Sequence, residues 1–230
     1  LKPINKERLT NDLRKIKNVK KKSCAIVFMH SCKFNKHEKE AEKVAKISGF
    51  SHISLSYRTS QIMKYVMRGD TTVADAYLSP VLNRYIQSLY SEFEGDISEK
   101  ISFMQSNGGL TNASLFSGKD SILSGPAGGV IGAIIASKKA GIKKIIGFDM
   151  GGTSTDVCHY NGTIERIFNS EISGVKMQTP MIALHTVAAG GGSIIKFDGS
   201  RFRVGPDSAG ANPGPASYDK GGPLTVTDAN

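Results

Sequence analysis

The sequence predicts an α/β protein in two compositional halves, and three observations carry that reading. In the first half, helical patterns alternate with short apolar strands. Glycine is segregated, with 22 of 25 residues lying after residue 105. In the second half a glycine turn joins strand to strand rather than strand to helix. At about one domain per 150 residues, 230 residues make one large or two small domains.

The elements follow in order. Leu9, Leu13 and Ile16 form an i, i+4, i+7 stripe on a basic amphipathic helix. Cys24 to Met29 is a continuous apolar run, as in a strand buried on both faces. Asn35-Lys36-His37-Glu38 opens a helix whose inner face is expected to be Ala41, Val44, Ala45 and Ile47, closed by Gly49. His52 to Ser56 is a second strand. Thr71 to Phe93 carries a long helical pattern in which Pro80 forces a break or kink. Ile101 to Gln105 is another short strand. Such alternation suggests a mainly parallel sheet.

After residue 123 the pattern changes. Ser124-Gly125-Pro126-Ala127-Gly128-Gly129 leads into a small-residue helix, Val130 to Ala140, ending at Gly141. An apolar strand, Lys144 to Met150, is followed by the Gly151-Gly152 turn and a second strand, Thr153 to Tyr160. Asn161-Gly162 is a strong hairpin signal, which makes Thr163 to Phe168 the expected third strand.

Composition excludes several classes. The chain is 39% hydrophobic and 22% charged, which rules out wholesale disorder. The longest apolar run, Val130 to Ala136, is far short of the roughly 20 residues that span a bilayer. Three cysteines argue against a disulfide framework and for a reducing compartment, so a cytoplasmic protein is expected. Cys24, Cys32 and Cys158 read as packing residues. The net charge of +10 suggests nucleic acid until it is divided. Residues 1–50 carry 14 Lys and Arg against 5 Asp and Glu, whereas residues 51–230 carry 16 against 15. The excess centres on Lys20-Lys21-Lys22 and lacks interleaved aromatics or a reading motif, so a solvated basic face is expected, not a nucleic-acid site.

The chemistry is concentrated in Asp149-Met150-Gly151-Gly152-Thr153-Ser154-Thr155-Asp156. Two glycines let backbone N–H groups approach an anion closely. Thr153, Ser154 and Thr155 add hydroxyl donors. Asp149 and Asp156 are hard oxygen ligands suited to Mg²⁺. Phosphate donors set between metal-binding carboxylates are what nucleotide phosphoryl transfer needs; the alternative is a plain hairpin with solvated Asp residues. No GxxxxGK[ST] string is present, and the Gly-rich 125–132 stretch lacks dinucleotide spacing.

This string resembles the second phosphate loop of the actin, sugar-kinase and heat-shock-chaperone superfamily of ATPases, with a ribonuclease H-like fold. More narrowly, the chain resembles the hydantoinase A / 5-oxoprolinase family. The matching strings are His30-Ser31 with His37-Glu38, Asp70-Thr71-Thr72-Val73 through Ala76-Tyr77-Leu78, and Met104 to Gly109. They continue with Ser124 to Gly129, the phosphate loop, His185-Thr186-Val187, Gly190-Gly191-Gly192-Ser193, Arg203 to Pro206, Pro213-Gly214-Pro215 and Thr225 to Asn230.

The resemblance implies an actin-like two-lobe architecture, incomplete in this chain. Residues 1–142 would end the first lobe with its connecting helix, and 143–230 would begin the second. It implies ATP and Mg²⁺ as cofactors and the ATP-dependent opening of a cyclic amide such as 5-oxoproline or a hydantoin. Relatives within the family carboxylate ketones, and kinase-like or chaperone-like ATPases share the superfamily. The implied partners are the remainder of the polypeptide or a hydantoinase B-type subunit, with no nucleic acid or membrane. The expected catalytic residues are Asp149, Asp156 and His185. Gly151, Gly152, Thr153, Ser154, Thr155, Gly190, Gly191 and Gly192 are the expected phosphate binders.

Departures from the family pattern are Asp75 for Asn, Ala189 for Gly and Ser217 for Cys, and Ser217 is given no catalytic role. A first phosphate loop is missing before residue 149, and no later adenosine-binding glycine pair appears, so the chain reads as the middle of a longer protein. His185 is either a ligand or a structural histidine. His30, His37 and Glu38 form either a site or a helix cap. Gly190 to Gly192 either cradle an anion or serve only as a turn.

One loop offers about three to five hydrogen bonds to phosphate, each of about 0.5–1.5 kcal/mol, against binding costs on the order of 4–15 kcal/mol. Calorimetry of this chain with Mg-ATP is therefore expected to give a Kd in roughly the millimolar range or weaker. Micromolar affinity would contradict the half-site reading.

Overall fold

The computed structural model describes residues 3–16, 22–93 and 100–230; Lys20 and Lys21 of the basic run lie outside them. The fold is mixed α/β and divides into two compact units. One comprises Leu1–Ala127 and Arg166–Ile182, the other Gly128–Glu165 and Ala183–Asn230. This division differs from a single cut at residue 142. Most of the small-residue helix belongs to the second unit, and residues 166–182 return to the first.

The first unit is built on a parallel pair, β1 (Ser23–Ile26) and β2 (His52–Leu55), joined through helix α2 (Lys36–Ile47). Ile26 and Leu55 bury against Ala41 and Ala45 of α2. Leu9 and Leu13 of helix α1 (Lys6–Arg14) pack on this cluster, as the heptad-like stripe predicts. Ile47 does not join it and is 81% exposed. The α2 face is completed instead by Glu38 and Glu42, both buried. Gly49 closes the helix at φ +93°, a region that favours glycine.

Buried polar groups replace part of the expected apolar core. The short helix α3 (Ser56–Thr59) and the long helix α4 (Tyr65–Ser91) meet α2 around Glu38, Ser56 and Arg68, each 0% exposed. Glu38 accepts from the N–H groups of Phe28 (2.9 Å) and Tyr57 (3.1 Å) and from the Ser56 hydroxyl. Arg68 donates to Ser56 Oγ (3.1 Å) and to the carbonyls of Ile62, Phe28 and Met29. Charge is thus compensated through a serine, and the guanidinium makes four hydrogen bonds to fixed acceptors. Pro80 lies inside α4 without breaking it, although it removes one helix hydrogen bond.

Beyond α4, strands β3 (Ser102–Met104) and β4 (Leu110–Asn112) form an antiparallel hairpin. Its Asn107-Gly108-Gly109 turn is closed by Gly109 N–H donating to Asn107 Oδ1 at 2.7 Å. Ser106, buried beside the turn, donates to the Asp120 carbonyl of short helix α5 (Gly118–Ser121) and accepts from Leu123 N–H. Helix α6 (Ser124–Lys139) follows.

In the second unit, β5 (Ile145–Met150), β6 (Thr155–Tyr160) and β11 (His185–Val187) form an antiparallel sheet in the order β11-β6-β5. The third strand is therefore not Thr163–Phe168. Only Tyr160 and Ile164 bridge beyond the Asn161-Gly162 turn. The chain then supplies β7 (Arg166–Ile167), the hairpin β8 (Ser170–Ile172) and β9 (Val175–Met177), and β10 (Met181–Ile182) to the first unit, where β7 pairs with β10. Gln178 N–H donating to Thr71 Oγ1 at 2.8 Å anchors this excursion. A last hairpin, β12 (Ser193–Phe197) and β13 (Phe202–Ser208), precedes helix α7 (Val226–Ala229). Among the described residues only β1 and β2 pair in parallel; the mainly parallel sheet expected from the alternation is not formed.

Because removing one partner of a buried ionic pair leaves the other charge uncompensated, Arg68→Met is expected to cost about 3–5 kcal/mol of stability. The double variant Arg68→Met with Glu38→Gln should recover part of that loss in urea unfolding. An unchanged midpoint in the single variant would contradict this account of the core.

Candidate functional site

The candidate site lies at the closed end of the β5–β6 hairpin. Register places Asp149 directly opposite Asp156, and Met150 opposite Thr155. Directly paired residues share a sheet face with Cβ atoms about 4.5–5.5 Å apart. Two carboxylates so placed repel each other, and among the described residues neither has a cationic partner. Two hard oxygens with no protein countercharge suit a Mg²⁺ ion, which keeps most of its waters and takes further oxygens from phosphate. Among the described residues no group of three or more His, Cys, Asp or Glu is arranged to hold a metal by itself. Helix α6 approaches this row closely, since a Cβ on Gly129 would sit 3.5 Å from Asp149 Oδ2.

Between the carboxylates, Gly151 N–H donates to the Ser154 carbonyl at 2.9 Å and closes the turn. The N–H groups of Gly152, Thr153 and Ser154 have no protein acceptor among the described residues, and Gly152 and Thr153 are exposed. They form the open donor set of the loop. Neither Gly151 nor Gly152 has positive φ, and a Cβ on Gly152 meets nothing within 4 Å. Glycine here leaves room on the outer side of the turn and is not required by backbone conformation.

The Gly190-Gly191-Gly192 segment lies behind the loop. Gly191 N–H donates to the Gly151 carbonyl (2.9 Å), Gly192 N–H to the Gly152 carbonyl (2.6 Å), and Gly190 N–H to Ser193 Oγ (3.0 Å). All three donors are engaged, so these glycines brace the loop from within the protein and do not offer an anion cradle. A Cβ on Gly190 would lie 2.7 Å from Gly151 O, Gly152 C and Gly152 O, and one on Gly191 would lie 2.6 Å from Thr227 Oγ1. Thr227 N–H in turn donates to the Gly191 carbonyl at 2.8 Å, which ties α7 to the brace.

The remaining predicted residues separate. Thr155 is buried and its hydroxyl donates to the Ala189 carbonyl at 2.6 Å, so it holds the brace and does not face a ligand. Ala189, without positive φ, fits where the pattern has glycine. Thr153 and Ser154 remain in the open turn. His185 pairs with Val157, which is opposite Phe148. It therefore lies on the sheet face opposite the aspartates. There it lines a cavity of about 360 Å³ with His159 and Glu165. Its neighbour Thr186 is the residue that reaches the carboxylates, donating from Oγ1 to Asp156 Oδ1 at 2.6 Å. Sequence reading passed over Thr186 because a histidine beside it carries the stronger chemical signal.

Glu38 belongs to the core described above. It neither joins a site with His30 and His37 nor caps its own helix. Ser217 N–H donates to Asp228 Oδ1 at 2.8 Å, a turn contact with no catalytic geometry. Burial pushes the Asp228 carboxyl up, but hydrogen bonds from Ser217 and Thr225 outweigh it and hold it well below the usual carboxylate range. In the first unit, a cavity of about 330 Å³ is lined by His52, Ser54, Asp75, Ser79 and Lys119. Asp75 accepts from Ser54 Oγ (2.6 Å), Ser79 Oγ (3.3 Å) and Lys119 N–H (3.1 Å). All its partners are donors, so a carboxylate fits where the pattern has asparagine. Burial lowers the His52 pKa, only partly offset by Asp75, which favours the neutral imidazole. Among the described residues no helix is long and apolar enough to cross a membrane.

The hydantoinase/oxoprolinase family model matches residues 68–230, and the model of the hydantoinase/oxoprolinase N-terminal region matches residues 1–49. A 5-oxoprolinase of Saccharomyces cerevisiae is 51% identical over 211 residues, which cover 91% of this chain and 16% of that protein. The chain thus spans about a sixth of that relative's length. Among solved structures, nucleotide-free acetone carboxylase aligns with a TM-score of 0.76 at 25% identity, covering 98% of this chain and 33% of that one. The ATP-dependent caprolactamase of Pseudomonas jessenii aligns with a TM-score of 0.69 at 35% identity, covering 90% and 31%.

The two glycine sets should respond differently to a methyl group. Gly152→Ala is expected to leave the urea midpoint of the second unit unchanged or slightly raised, because the Cβ meets open space. Gly190→Ala should lower stability by about 1–3 kcal/mol, because its Cβ meets backbone that cannot yield cheaply. The reverse order of stabilities would contradict the assignment of loop and brace.

Proposed function

Since the chain belongs to the hydantoinase/oxoprolinase family, we propose that it forms part of an ATP-dependent hydrolase that opens a cyclic amide of the 5-oxoproline or hydantoin type. The observation that carries this reading is the hairpin end, with three open N–H groups between two opposed, uncompensated carboxylates. Mg-ATP, when bound, would supply the γ-phosphoryl group to the ring carbonyl oxygen with release of ADP, making a better electrophile of a carbon that amide resonance leaves unreactive; water would then add there, and phosphate and the ring nitrogen would leave. Gly152, Thr153 and Ser154 would receive phosphate oxygens, and Asp149 and Asp156 would hold Mg²⁺ directly or through its waters. The protein's share is positioning and charge neutralisation.

The wider architecture is proposed to be actin-like, with two lobes of which this chain supplies the end of one and the start of the other. Its partners would be the rest of the polypeptide or a second subunit, and its compartment the cytoplasm, where the three free thiols stay reduced. A second reading, ATP-dependent ketone carboxylation, is favoured by the likeness to acetone carboxylase. Assaying the full polypeptide for ATP-coupled opening of 5-oxoproline and for bicarbonate-dependent consumption of acetone separates the two.

In that polypeptide, Asp149→Ala and Asp156→Ala should each abolish ATP-coupled turnover while leaving the far-UV spectrum intact, because neither residue packs in a core. Wild-type turnover in both variants would reduce the hairpin to a structural element.

A further inference from the structure

We propose that Thr186 is a positioning residue for the cation site, holding the Asp156 carboxylate in the orientation that a divalent metal requires. The proposal rests on the reading of the hairpin as a Mg-nucleotide site and adds to it a residue from a third strand. Thr186, Asp156 and Asp149 occupy one cross-strand row, because β11 pairs with β6 at Thr186–Asp156 and β6 pairs with β5 at Asp156–Asp149. The Thr186 hydroxyl donates to Asp156 Oδ1 at 2.6 Å. That bond fixes the rotation of the carboxyl group about its last torsion, which is otherwise broad. It leaves Oδ2 without a protein donor among the described residues. An anchored carboxylate binds a metal better than a rotating one, as hydrogen-bonded outer partners do at metal sites generally.

The placement of Thr186 is itself secured from two sides. Thr155 of β6 donates to the Ala189 carbonyl just after β11, at 2.6 Å, while Thr186 of β11 donates back to β6. The two threonines clamp the strands reciprocally. The glycine brace at 190–192 then fixes the end of β11 against the phosphate turn. A one-residue slip of β11 would put His185 or Val187 in the row instead and leave Asp156 unsupported.

The test uses the full polypeptide that carries this chain, with Mn²⁺ as the probe metal and a non-hydrolysable ATP analogue, read by electron paramagnetic resonance. Thr186→Val keeps the shape and the strand propensity but removes the donor. It should weaken Mn²⁺ affinity about tenfold, the scale of one hydrogen bond to a charged group. Thr186→Ser restores the hydroxyl and should bind within about twofold of the unsubstituted protein. Unchanged affinity in Thr186→Val overturns the proposal, and so does a Thr186→Ser variant as weak as Thr186→Val, which would mean that packing and not the hydroxyl matters. Asp149→Asn and Asp156→Asn are measured alongside. If both bind Mn²⁺ normally, the hairpin is not the cation site and the proposal falls with that reading, an outcome distinct from failure of Thr186 alone.

Discussion

The backbone contact between residues 190–192 and the Gly151-Gly152 turn is the constraint on which the candidate site depends. It needs glycine at 190 and 192, where a Cβ would fall 2.7–2.8 Å from the backbone of the turn. Two hydrogen bonds run from the brace into the two carbonyls of the turn, with Cβ positions that would otherwise fall 2.6–2.8 Å from neighbouring atoms. With the Gly151 and Gly152 carbonyls held from inside, the trans peptides turn the N–H groups of Gly152 and Thr153 to the other side, and the Ser154 N–H has no protein acceptor among the described residues. Preorganisation of this kind matters for anion binding, because donors that are already aimed need no reordering when the ligand arrives. The brace is anchored in turn by Thr227 and by the Thr155 hydroxyl, so sequence strings far apart in the chain converge on one short loop.

The first unit solves a different problem. Its central helices bring a carboxylate and a guanidinium out of water around Ser56, and the cost of burial is offset by seven hydrogen bonds to fixed groups. Such a core tolerates few alternatives, since a rotated Arg68 would leave its donors unpaired. This polar interior also explains why α4 buries Thr71, Thr72, Asp75 and Ser79 on a face where a helical pattern leads one to expect aliphatic residues.

Local signals in the sequence locate the four longer helices, α1, α2, α4 and α6, the β5–β6 hairpin and the paired aspartates, because each depends on periodicity or on a short string; the short helices α3, α5 and α7 carry no such signal. What the sequence left hidden depends on long-range register. The Asn161-Gly162 turn does place Gly162 at positive φ, yet a turn cannot say that the next strand will leave for another unit. His185 and Thr186 are adjacent in sequence but opposite in the sheet, so a one-residue difference in pairing decides which of them meets Asp156. The glycine run at 190–192 looked like an anion cradle because glycine allows close approach of any backbone. The partner is the Gly151-Gly152 turn itself.

The central claim is that the open amides of Gly152, Thr153 and Ser154, and not those of the glycine brace, receive phosphate. An amide-resolved NMR titration of the ¹⁵N-labelled chain with Mg-ATP, carried into tens of millimolar to suit weak binding, tests it most directly. The account predicts progressive downfield shifts of those three amide protons, with the amides of Gly190, Gly191 and Gly192 nearly stationary. Large shifts confined to the 190–192 amides, with the turn unmoved, would contradict it.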